Sequence, residues 1–126
     1  MKQENETLKL RIRVYLAGPI SSPSTLVFLR NLQAGQAMAA ELIKLGFSVY
    51  CPFLDHHLVM AEGENRLTIE ELQANSRAWI PASQVMLLLP GWQMSRGAGD
   101  EHEDAVSCGL PIFTSLEDLK KWAGLK

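Results

Sequence analysis

Glu101 follows Ser95 by six residues, with Gly97 and Ala98 between them. Just upstream, the run Val85-Met86-Leu87-Leu88-Leu89 stops at Pro90-Gly91, and a loop carrying Trp92 and Ser95 joins the two. A short run of large apolar residues reads as a strand buried on both faces. The Gly97-Ala98 pair then opens a helix with Glu101 in its first turn. A helix N-terminus offers free backbone N–H groups and the positive end of the dipole, which suit an anion. Gly97 and Ala98 lack bulk, so a ligand can approach the backbone there. Ser95 adds a hydroxyl donor. Glu101 could do catalytic work in such a place. The plainer alternative is that Glu101, Asp100 and Asp104 complement the dipole of a surface helix.

Other groups could converge on the same spot. Tyr15 lies in the run Arg13-Val14-Tyr15-Leu16-Ala17-Gly18, which in an open parallel sheet is central and neighbours the third strand. Its hydroxyl could reach toward Glu101; otherwise it is a core tyrosine. Gly18-Pro19-Ile20-Ser21-Ser22 forms a turn at that edge, with amides and hydroxyls suited to a phosphate or a sugar hydroxyl. Trp92 could stack on a base or sugar ring, or simply anchor its loop. Neither the G-x-G-x-x-G nor the G-x-x-x-x-G-K-[ST] spacing is present, which disfavours a large nucleotide cofactor. His56-His57 and His102-Glu103 lack metal-ligand spacing, so no metal is expected. His56 or His57 is a proton-donor candidate, because imidazole titrates near neutral pH. Cys51 reads as a plain buried thiol in preference to a nucleophile.

The elements that must hold these groups alternate between strand and helix. Strands are expected at residues 13–18, 47–51, 85–89 and 110–113. Helices are expected at 25–45, 69–78, 97–108 and 116–123. Gly46 and Gly109 fit helix stops, and Ser115 fits a cap. In the first helix, Leu26, Leu29, Ala37, Ala40 and Leu45 follow the helical period. The mixed polar stretch 54–66, with Asp55, His56, His57, Glu62 and Glu64, reads as a loop or lid. An extra strand could lie within 54–68. Alternation of this kind argues for a parallel sheet with helices on both faces. The expected fold is therefore α/β, a single-domain flavodoxin- or Rossmann-like three-layer sandwich with four or five parallel strands. Residues 1–10 read as a flexible lead-in and 11–126 as one domain.

Composition sets outer bounds. The 126 residues are 47% apolar, enough for one core. A net charge of −2 with no basic block argues against a nucleic-acid partner. No apolar run is long enough for a membrane span, and the polar N-terminus is unlike a signal sequence. Two cysteines do not make a disulfide framework. A cytoplasmic location is the default expectation.

Two blocks together resemble the nucleoside 2-deoxyribosyltransferase-like superfamily. The first is Val14-Tyr15-Leu16-Ala17-Gly18-Pro19-Ile20-Ser21. The second is Leu88-Leu89-Pro90-Gly91-Trp92, then Ser95-x-Gly97-Ala98-x-x-Glu101, then Ala105 and Gly109-Leu110-Pro111-Ile112. The resemblance spans residues 13 to about 114 and is nearest to a small branch with the Pro-Gly-Trp loop. It implies a flavodoxin-like fold and N-glycosidic chemistry on a nucleoside or nucleotide, with no cofactor. Glu101 would attack the anomeric carbon of a 2-deoxynucleoside, and Tyr15 would orient it. A deoxyribosyl ester would form, then pass to a second base or to water. Ser95 and the first loop would hold a 5′-phosphate where one is present. Relatives look like dimers or higher homo-oligomers, and the apolar Leu26, Val27, Phe28 and Leu29 permit that.

The chain also departs from the superfamily. An aspartate is usual about 25 residues before the glutamate, where this chain has Ser76. A second aspartate usual before the third strand is Gln84 here. A departing base needs a proton or a strong hydrogen bond, and serine is no acid near neutral pH. Asp55, His56, His57 or one of Glu62, Glu64, Glu70 and Glu71 would have to serve. The alternative is a nucleotide-binding or sensor module that kept the pocket and lost the acid. A third, plainer possibility is an interaction domain with an idle cleft.

Overall fold

A computed structural model describes residues 11–61 and 66–126. The expected lead-in at 1–10 and the lid residues Glu62, Gly63, Glu64 and Asn65 lie outside the described residues. Four strands, β1 (Arg13–Ala17), β2 (Ser48–Tyr50), β3 (Val85–Leu88) and β4 (Ile112–Phe113), pair in parallel in the order β2-β1-β3-β4. Five helices are described: α1 (Thr25–Lys44), α2 (His56–Ala61), α3 (Ile69–Arg77), α4 (Arg96–Cys108) and α5 (Leu116–Trp122). The chain steps outward from β1 to β2, then returns across β1 to β3. That reversal opens a crevice between the carboxyl ends of β1 and β3, where open α/β sheets bind ligands.

The central strands are buried on both faces, as their unbroken apolar runs require. Side chains alternate along each strand. Val14, Leu16, Val85 and Leu87 face one layer, packed with Leu32, Ala39 and Leu42 of α1, Phe47, Phe53 and Leu119 of α5. Tyr15, Ala17, Met86 and Leu88 face the other layer, with Ile80 and Ala105 of α4. The expected α/β sandwich is thus the one observed, with four strands among the described residues.

Local chemistry sets the ends of the helices. Ser24, Thr68, Ser95 and Ser115 each accept a backbone N–H as N-caps. At Thr68 the cap is reciprocal, because Glu71 reaches back to the Thr68 amide. Gly109 ends α4 with φ at +72°, a conformation glycine adopts without strain.

Two expectations need correction. Residues 54–61 hold no strand. Pro52–Leu54 form a 3₁₀ turn, closed by Leu54 N–H to Cys51 O and Asp55 N–H to Pro52 O, and α2 follows. Residues 66–68 add none. The apolar stripe of α1 also differs. Leu32, Gly35, Ala39 and Leu42 are buried, whereas Leu26, Leu29, Ala37 and Ala40 are exposed. Periodicity cannot tell which of two adjacent stripes meets the sheet when a glycine sits in the buried one. Gly35 is there for space: a Cβ at this position would come within 2.1 Å of the Phe53 ring. Phe53 is fully buried against it.

Candidate functional site

A cavity of about 410 Å³ opens at the carboxyl ends of β1 and β3. That volume lies in the ~300–1,000 Å³ range of small-molecule sites. The loop after β1 contributes Gly18, Ile20 and Ser21. Asp55 and His56 enter from the segment after β2, and Leu72, Gln73, Ser76 and Arg77 from α3. The start of α4 supplies Ser95, Arg96, Gly97, Ala98, Asp100 and Glu101.

Glu101 is the sixth residue of α4, because the helix begins at Arg96. It therefore sits in the second turn, not the first. There it gains little from the dipole end, so dipole complementation does not account for it. It is 8% exposed, and the hydroxyl of Tyr15, fully buried on β1, donates to its Oε2. Parallel pairing of β1 with β3 brings these residues together across the sequence. Burial pushes the Glu101 carboxyl up to about 7; Tyr15's hydrogen bond and the Arg77 charge pull it down, while the charges of Asp55 and Asp104 push it up. Burial, and next the charge of Glu101, raise the Tyr15 phenol well beyond its ordinary range. Tyr15 is thus a fixed donor near neutral pH.

The second carboxylate in the cavity has its own support. Ser76, 3% exposed on α3, donates from its hydroxyl to Asp55 Oδ2 at 2.7 Å. Burial raises the Asp55 carboxyl, while the Ser76 bond and nearby His56 lower it. Beside Ser76, Arg77 forms a two-pronged pair with Asp104 of α4, Nε to Oδ2 at 2.5 Å and Nη2 to Oδ1 at 2.9 Å. Tyr50 at the end of β2 stacks between Tyr15 and Trp79, with ring centroids 5.5 and 5.6 Å away.

The mouth of α4 has hydrogen-bond donors to spare. Ser95 Oγ accepts from Ala98 N–H at 3.2 Å, so its own hydrogen can be donated elsewhere. The first amides of the helix, at Arg96 and Gly97, are not needed by its internal ladder. Gly18 is buried for a different reason. A Cβ there would meet Leu89 Cβ at 2.9 Å and the Phe53 ring at 3.2 Å.

Not every candidate residue reaches the cavity. Pro19, Trp92 and His57 are absent from its lining, and so is Tyr15, which meets the site only through its bond to Glu101. Pro19 packs toward Gly91, and Trp92 stacks on His102 of α4 at 4.5 Å, which anchors its loop. Gln84 lies at the opposite, amino edge of the sheet, where its Oε1 accepts the Arg13 N–H at 2.9 Å. Its departure from the superfamily pattern does not touch this cavity. Burial pushes the Cys51 thiol up to about 11, far from a ready nucleophile. Sequence reasoning missed Tyr50 and Arg77. Arg77 carries no local signal, since its partner lies 27 residues away. Among the described residues, no group of three or more His, Cys, Asp or Glu is gathered for a metal. No described helix is long and apolar enough to cross a membrane.

No curated protein matches the chain significantly. Among solved structures, the chain is similar to the 2-deoxyribosyltransferase of the psychrotolerant bacterium Bacillus psychrosaccharolyticus, described as a biocatalyst for synthesis of antiviral and antitumoral nucleosides. The two share 16% identity over 79% of this chain and 69% of that one, with a TM-score of 0.54. At that identity the likeness is one of fold. A family model, the domain of unknown function DUF4406, matches residues 12–114. That span runs from the start of β1 through β4 and includes every cavity residue described above, and the chain belongs to the DUF4406 family.

Proposed function

We propose that the chain breaks the N-glycosidic bond of a 2-deoxynucleoside or its 5′-monophosphate, with Glu101 as nucleophile. The observation that carries this is Glu101 at the wall of a cavity of nucleoside size, held by the hydroxyl of buried Tyr15. Attack by a carboxylate on the anomeric carbon gives a glycosyl ester, which water or a second base then resolves. Tyr15 fixes the attacking carboxylate and favours its ionised form. Ser95, with the amides of Arg96 and Gly97, would take a 5′-phosphate, and Gly18, Ile20 and Ser21 would line the sugar. The fold shared with a 2-deoxyribosyltransferase supports the choice of substrate class.

The test is base release from the common 2-deoxynucleosides and their 5′-monophosphates, followed by chromatography. Wild type should release base, and Glu101→Ala should release none while keeping its circular dichroism. A quenched reaction should carry a deoxyribosyl adduct on the peptide containing Glu101. Unchanged release by Glu101→Ala would refute the assignment. One observation favours a second reading, a nucleotide-binding module without turnover: Ser76 stands where the resembled enzymes carry an acid. In that case calorimetry gives heat with nucleotides and chromatography shows no free base. We also propose assembly into a homodimer or higher homo-oligomer, supported by the exposed Leu26, Val27 and Leu29 of α1; sedimentation at increasing concentration would test it.

A further inference from the structure

We infer that Asp55 protonates the departing base and that Ser76 is its positioning residue, so that the acid of this site comes from the segment after β2. This rests on the reading of Glu101 as nucleophile. Among the described residues, three carboxylates line the cavity: Asp55, Asp100 and Glu101. Displacement at the anomeric carbon puts nucleophile and leaving base on opposite sides of that carbon. Asp100 is the chain neighbour of Glu101 on α4, so it stands on the nucleophile's wall. Asp55 stands on another wall, beyond β1, which lies between β2 and β3 in the sheet.

The geometry also prepares Asp55 for the task. The Ser76 hydroxyl occupies Oδ2 at 2.7 Å, which leaves Oδ1 to carry the acidic proton. Ser76 is buried and bonded, and its own hydroxyl cannot act as an acid near neutral pH. His56 is the nearest competitor. Its Nδ1 lies 3.1 Å from the Phe53 carbonyl, which can only accept, so the Nδ1 proton is committed there. His57 does not line the cavity.

The step balances. A Glu101 carboxylate oxygen forms a bond to C1′ as the C1′–N bond breaks, and that electron pair passes to the base nitrogen. The base takes the proton from Asp55 and leaves neutral, and Asp55 becomes a carboxylate. Water then attacks C1′, Asp55 takes its proton, and Glu101 leaves as carboxylate. Where a second base attacks, its N–H proton returns to Asp55 in the same way.

A leaving group that needs no proton separates this role from the rest of the site. The base of N7-methylated 2-deoxyguanosine 5′-monophosphate is cationic and departs neutral unaided. Asp55→Asn should lower kcat for the best of the four common deoxynucleoside monophosphates by ~100-fold or more, and for the N7-methylated one by ~3-fold or less. Ser76→Ala should move the limb of the kcat–pH profile that reports Asp55 to higher pH, because the lost hydroxyl favoured the ionised carboxyl. Equal losses on both substrates, or no loss on either, would overturn the role of Asp55. A kcat–pH profile in Ser76→Ala identical to that of wild type would overturn the role of Ser76. If Glu101→Ala releases the N7-methylated base as fast as wild type, the reading of the nucleophile fails instead.

Discussion

Replacing Glu101 with glutamine should stabilise the protein at alkaline pH and leave it little changed in acid. Burial holds the Glu101 carboxyl at about 7, against 4.5 for the free side chain. Between those values the folded state binds a proton that the unfolded chain has lost. Stability is therefore highest below pH 4.5 and falls as pH rises through 7. At 1.36 kcal/mol per pH unit, the whole interval amounts to about 3 kcal/mol. Glutamine keeps a carbonyl that accepts from Tyr15 and never ionises, so it escapes that loss. Urea unfolding of wild type and Glu101→Gln at pH 4.5 and pH 8 measures the effect. The stability difference between the two proteins should shift by about 3 kcal/mol across that interval, in favour of Gln at pH 8. Comparing one difference at two pH values cancels whatever else the substitution does to packing. A difference that stays constant would show that Glu101 ionises like an exposed carboxylate. Its enclosure, and with it the account of a poised nucleophile, would then be wrong.

The same carboxylate must be ionised to attack, so base release should fall on the acid side of about pH 7. Tyr15→Phe removes a donor to that carboxylate, worth about 1.5–3 kcal/mol, and should move the acid limb of kcat/KM up by about one to two pH units. Gly35→Ala should cost about 1–3 kcal/mol in chemical denaturation, because the new methyl meets the Phe53 ring. Arg77→Ala should cost less than about 1 kcal/mol, since its pair with Asp104 is largely solvent-screened. It should also raise the acid limb of base release, because the guanidinium charge favours ionised Glu101.

The two halves of the site differ in how they could be read from the chain. Ser95, Gly97, Ala98 and Glu101 fall in one short stretch, where a buried strand and a helix cap are both local signals. Tyr15 lies 86 residues from Glu101, yet alternation of strands and helices put β1 beside β3 and so made the pairing a natural expectation. Asp55 had no such signal. It sits in a polar stretch without period, and its partner Ser76 looks like a defect until the two meet across 21 residues. Trp92 gave an ambiguous signal because an aromatic beside a glycine serves a ligand or a loop equally well; its stacking on His102 is a contact between side chains that no spacing encodes. Gln84 immediately precedes β3, which in a parallel sheet puts it at the amino edge, away from the cavity.

The void at Gly35 has a bearing on descent. Phe53 fills it and stands two residues before Asp55, so α1 and the turn after β2 are keyed together at this one contact. A lineage that exchanges Gly35 for a larger residue must shrink Phe53 or displace the turn. Positions 35 and 53 should therefore change as a couple. Chains that retain both are the ones expected to keep a carboxylate at position 55, and their relatives could be sorted on that couple before any reaction is assayed.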